Sequence, residues 1–167
     1  MSQPQRGYTM TIPATGSSPL VVSTSAVMDI ITLICGSGNG LISGYYCLTS
    51  NLTSETETVF LRLKRLTTTV TVGSGGTAGT VQHIDDGDTK STTLASARYG
   101  DTTQATTTGT TQYLACWLWN PILPFEFLWM PENRRMSQVS EAIILETAAA
   151  AASAISVAGF VDWWEVP

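Results

Sequence analysis

The chain has 167 residues, is 43% hydrophobic and 13% charged, and carries a formal net charge of −5. That length suits one domain with its own core, and that apolar share excludes a disordered chain. The acidic balance excludes a nucleic-acid backbone as the main partner, since phosphate contacts need clustered Arg and Lys.

In chain order, residues 1–6 read as a flexible polar leader without the apolar stretch of a signal peptide. No apolar run reaches the ~18–20 residues of a membrane span, so synthesis in a cytoplasm and no membrane partner are expected. Tyr8, Met10 and Ile12 alternate with Thr9 and Thr11, the period of a half-buried strand. A loop over 14–19 leads to a short strand at 20–22. Residues 27–35 are rich in β-branched side chains and stop at a glycine cluster, which favours a strand over a helix. Residues 41–48 form the next strand.

The clearest strand spans 59–66, with Val59, Leu61 and Leu63 on one face and Arg62 and Lys64 on the other. Arg62, Lys64 and Arg65 read as a solvated face or as salt-bridge partners. The alternation breaks near Arg65, where a bulge or strand end is expected. From Gly73 to about Thr111 apolar residues are sparse. This stretch, 73–111, reads as a long loop excursion with one short strand near 92–98.

Along 112–119, Tyr113, Ala115, Trp117 and Trp119 alternate with Leu114, Cys116 and Leu118. Both faces are apolar, so this strand is expected to be buried on both sides or to pack an interface. Strands at 124–130, 141–147 and 154–166 follow, separated by a polar loop at 131–135 and a small-residue turn at 148–153. The pattern predicts an all-β fold: a single jelly-roll β-sandwich of about eight strands with long loops, one domain over 1–167.

Chemistry-bearing motifs are few. His83 stands alone without a nucleophile motif and reads as an exposed loop residue. Asp85, Asp86 and Asp88 around Gly87 lack the terminal Glu of an EF-hand loop and read as turn residues, a Ca²⁺ site being the lesser alternative. Gly73-Ser74-Gly75-Gly76 has no following Lys or helix, so it is no phosphate loop. Glu126, Glu132, Glu141 and Glu146 read as surface. Cys35, Cys47 and Cys116 form neither a disulfide framework nor a zinc site and read as small buried hydrophobes. No catalytic residue, cofactor or metal is expected. The tryptophans say more: Trp117, Trp119, Trp129, Trp163 and Trp164 all lie in the last third. Trp163 and Trp164 must face opposite sides of the last strand, so at least one is expected at a subunit contact.

The order of segments over about 59–167 is VFLRLKRL, GSGGTAGT, DDGD, QATTTGTTQ, an aromatic strand, FEFLWMPENRR, EAIILET and GFVDWWEVP. It is similar to small structural proteins of tailed bacteriophages that decorate or cement the head. Pro131-Glu132-Asn133-Arg134 fits their PxxR, and Trp164-Glu165 fits their W/F-E-E ending, with Val166 replacing the second acid. The resemblance implies a jelly roll, a homotrimer, a major capsid protein as partner, a place on the capsid surface of a virion and no enzymatic residues. It adds Arg134 to the five tryptophans as candidate interface residues. The leader and 73–111 are then candidate arms across a subunit boundary. A second expectation is a carbohydrate- or receptor-binding module of a head fibre or tail, with Trp129, Trp163 or Trp164 as a stacking platform.

Overall fold

The computed structural model describes residues 6–14, 18–36, 40–52, 57–89, 91–130, 133 and 135–166, and among them the fold is all-β. Two antiparallel sheets carry it. The first runs β12 (Phe125–Leu128), β4 (Gly40–Ser50), β15 (Ile155–Val166), β1 (Arg6–Ile12) and β8 (Val81–His83). Here β13 (Met136–Ser137) also pairs with β4, and β2 (Leu20–Val22) pairs with β15. The second runs β11 (Thr111–Trp119), β5 (Val59–Leu66), β14 (Ala142–Thr147), β3 (Asp29–Ile34), β9 (Ser96–Asp101) and β7 (Thr77–Ala78). A ribbon of β6 (Val70–Thr71) and β10 (Thr106–Thr107) stands apart.

Eight of these strands, β1, β3, β4, β5, β11, β12, β14 and β15, follow a regular scheme. Counted along the chain as first to eighth, they stand in the order 6-3-8-1 in one sheet and 5-4-7-2 in the other. Most connections therefore cross from sheet to sheet, and both inner faces feed one core. Tyr8, Met10 and Trp163 from the first sheet belong to the same buried cluster as Leu33, Leu61 and Ile143 from the second. Strict alternation in β1 and the first half of β5 supplies this inner face, as a two-residue period requires.

The second sheet also has a covered outer face. β3 and β14 are buried at every residue. Ile34, Leu66, Ala142 and Ile144 point away from the main core and pack with Ala105 and Val70 in a second, smaller one. The cover comes from the stretch expected to be a loop excursion. Residues 73–111 contain β7 to β10 and lie against the sandwich, not away from it. The expected short strand near 92–98 is β9, shifted to Ser96–Asp101. Glycine makes this close approach possible: Gly75 has φ +87°, and a Cβ on Gly76 would collide with the Tyr99 carbonyl and with Asp101.

The break expected near Arg65 is met as a strand end: β5 stops at Leu66, after pairing evenly with β14. A second irregularity lies in its other neighbour, β11, between Tyr113 and Ala115, opposite Lys64 and Leu63. The face of β5 changes there because Lys64 and Leu66 are drawn under the cover. β11 is not buried on both sides. It is an edge strand whose inner residues pack on the core while its outer face is open. The leader, apart from Arg6 in β1, lies outside the described residues.

Candidate interaction surface

Ionisable side chains gather beneath the cover, on the outer face of the second sheet. Neighbouring strands bring them together: Arg62 and Lys64 on β5, Glu146 on β14 and Asp29 on β3. Lys64 Nζ donates to Glu146 Oε2 at 2.6 Å and to Asp29 Oδ1 at 3.2 Å. Arg62 holds Glu146 Oε1 through Nε at 2.9 Å and Nη2 at 2.7 Å. From the cover, the Ala105 N–H donates to Asp29 Oδ2 at 2.8 Å, and the Gln104 amide donates to Asp29 Oδ1 and to Glu146. Burial pushes the Asp29 carboxyl above its ordinary 3.8, opposed by Lys64, the Ala105 N–H and Gln104. Arg62 and Lys64 are thus salt-bridge partners, the second of the two readings the sequence allowed, whereas Glu146, read from sequence as surface, is buried. All four carboxylate oxygens have donors, so this cluster works as a clamp between β3, β5, β14 and the cover. It leaves no free base or acid for chemistry.

Two more clamps hold the same excursion. Glu165 on β15 accepts the Thr93 N–H and hydroxyl at 2.9 and 2.7 Å, and the Thr92 hydroxyl. Asp101 takes Arg98 at 2.6–3.1 Å and the Gly76 N–H at 3.1 Å. The acidic turn does similar work. Asp85 accepts the Gly87 N–H at 2.9 Å, and Asp88 pairs with Arg6 at 3.4 Å. Among the described residues no three His, Cys, Asp or Glu side chains are placed to hold a metal ion. His83 is not in a loop: it sits half-buried in β8, its ring 5.0 Å from that of Tyr8. The cysteines are free. Burial raises the Cys35 thiol to about 12, whereas Cys116, expected to be buried, lies exposed on β11.

The candidate interface residues separate clearly. Trp163 is fully buried and stacks on Tyr8 at 6.0 Å. Trp119 is buried, its indole N–H donating to the Leu123 carbonyl at 2.8 Å. Trp117 and Trp129 interleave with Phe125 and Phe127 at 4.5–5.3 Å, and Arg135 lies over Trp129 at 5.2 Å. These rings plug the core where β11 and β12, the edges of the two sheets, come together. Trp164 faces outward and lies across Gly7 and Gly44, where a Cβ would meet its indole. Arg134 lies outside the described residues.

Large apolar side chains, mostly aliphatic, are what this end exposes. Leu118 is 76% exposed, Met130 68%, Leu123 61%, and Tyr113 and Leu128 60% each. Phe60, paired with Leu118 across β5 and β11, adds to the same face. Between β11 and β12 a cleft of about 310 Å³ is walled by Trp117, Leu123, Pro124 and Phe125. Over residues 111–130 the one charged side chain is Glu126. Sequence reasoning had pointed to the tryptophans; their inward parity fills the core, and it is the opposite parity, Leu118 and Leu128, that meets solvent. No family model matches this chain, and no curated protein or solved structure matches it.

Proposed function

We propose that this chain is a structural virion protein that decorates a tailed-phage capsid and stabilises it through many weak contacts, with the major capsid protein and copies of itself as partners. The observation that carries the reading is the open end: two sheet edges side by side, rich in exposed aliphatic groups and almost free of charge. Leu118 stands on the outer face of one sheet and Leu128 on that of the other, with Leu123 and Met130 in the connections beside them, so exposed apolar groups flank these edges on every side, and grouped apolar surface marks interaction sites. Each site buries little, but many copies on one particle add their effects, and binding to the closed shell raises the cost of opening it. We read the 6-3-8-1 and 5-4-7-2 strand orders as a jelly roll, the fold expected of such proteins. The saturated ion clusters support a structural role over a catalytic one.

Mixing the purified chain with capsids that lack it tests the proposal. Saturable binding with a fixed copy number and a higher disruption temperature is expected. Absence of binding to undecorated capsids, together with binding on a glycan array, would move the chain to a carbohydrate-recognition role. That role has less support, because stacking needs an open ring face and two of its three expected rings, Trp129 and Trp163, are buried, leaving Trp164 alone facing outward.

A further inference from the structure

We propose that the free side of β11 is completed by β11 of a second copy of this chain. The two strands run antiparallel about a two-fold axis, so that the second sheet continues from one molecule into the other. The inference deepens the reading above, rests on its open end as a contact surface, and names the occupant.

The backbone supplies the first argument. β11 is nine residues long, its inner side pairs with β5, and among the described residues no strand pairs with its outer side. Such an edge presents a row of N–H and C=O groups that an extended strand satisfies best. Edges meant to stay single carry Lys, Pro, inward-pointing charge or a bulge; TQYLACWLW has no charged residue, Pro or Gly, and its one irregularity, between Tyr113 and Ala115, leaves Ala115–Trp119 regular.

The side chains supply the second. Past the irregularity at Leu114, an antiparallel self-pair centred on Cys116 sets Ala115 opposite Trp117 on the inner face and Cys116 opposite its own copy on the outer; centred on Trp117 it sets Ala115 opposite Trp119 and Cys116 opposite Leu118. Apolar groups meet apolar groups in either register, and no like charges face each other. Net charge points to the same face. Each copy carries −5, and Asp85, Asp86 and Asp88 lie by β8, at the far edge of the sandwich from β11. Two copies therefore approach with least repulsion through β11. The area reaches the lower end of what specific interfaces bury: a nine-residue strand spans about 30 Å and a sandwich with its outer side chains about 20 Å, giving roughly 600 Å² per copy against ~800 Å² for a standard interface.

Sedimentation of the full chain with and without Leu118→Lys tests this. The unmodified chain should sediment at about twice its 17.8 kDa monomer mass, and more firmly in added salt, which screens the repulsion between acidic copies. Leu118→Lys should weaken pairing about tenfold or more, with its melting curve matching that of the unmodified chain at concentrations low enough that both are monomers. Mild oxidation of a Cys47→Ser chain adds a readout on the native edge: a Cys116-linked dimer is expected, and its loss in Cys116→Ser. A monomer throughout, a three-fold species indifferent to Leu118→Lys, or β11 amides that gain protection only on capsids would each overturn the pairing. The last result would leave the decoration role standing, whereas a dimer that ignores capsids would keep the pairing and remove that role.

Discussion

At one end of the sandwich the edge strands β7 and β8 are two and three residues long; at the other, β11 has nine. The short edges come from the 73–111 excursion, are flanked by an acidic turn, and are tied down by ion pairs and hydrogen bonds. The long edge carries no charge and exposes Leu118 and Tyr113. Short, polar, covered edges resist pairing with other chains, and long, flat, apolar ones invite it. The buried charged side chains, Asp29, Lys64, Asp101, Glu146 and Glu165, all help to hold the excursion, and none lies on β11. The proposed contact surface rests on that asymmetry more than on any single residue.

The comparison can be broken most forcefully at the seal. Lys64→Met leaves Asp29 and part of Glu146 buried without their cation, which should cost about 3–5 kcal/mol in urea unfolding. Amides of 101–107 should lose protection with it, and β11 should not. Glu165→Gln removes the charge that gathers Thr92 and Thr93, at about 1–3 kcal/mol, with faster exchange at Thr93 as the local signature. Leu118→Lys should move stability by less than about 0.5 kcal/mol, since it touches no buried group. Its effect should appear in association alone, and a large loss of stability there would show that the open end is part of the core.

Acid titration sharpens the contrast with a smaller effect. Burial places Asp29 above its ordinary 3.8, and Asp162 likewise, partly offset by the Thr9 hydroxyl. As pH falls from neutral these groups take up protons in the fold before they do so in the unfolded chain. Stability should therefore rise on acidification until the unfolded value near 3.8 is reached. Glu57 runs the other way. Partial burial alone would raise it, but the Ser153 hydroxyl and the Ala152 and Ser153 N–H groups hold it below 4.5. Its contribution is complete above 4.5 and lost as pH falls through the lowered value. Melting temperature should thus peak on the acid side of neutral, and Asp29→Asn should flatten the rise.

Much of the scaffold was legible because period-two alternation is a local property. The strands at β1, β2, β3, β4, β5, β14 and β15 fall within a few residues of where their side-chain patterns put them. The clamps were not legible, because an isolated Lys or Glu reads as solvated and only the fold reveals its cover. One signal was available: AIILET and DIITLI do not alternate, so both faces of β14 and β3 had to be covered, and something had to cover them. For β11 the sequence left two readings, burial on both sides or an interface, for the same reason in reverse. An apolar run looks alike whether its own chain or another chain covers it, and nothing local in TQYLACWLW distinguishes the two.

The place of β15 has a consequence for how the molecule is made. Arg6 pairs with Glu165 and Ile12 with Gly159, while the other side of β15 pairs with β4. On a ribosome working at ~5–20 residues per second, β1 waits about 10–30 s for β15, since all the other strands, β8 on its far side included, are made first. The second sheet can gather β3, β5 and β14 before β15 exists, whereas the first has a gap between β4 and β1 until residues 155–166 emerge. A nascent chain is therefore a finished wall facing an unfinished one, and stalled or clipped products should be the species that chaperones hold.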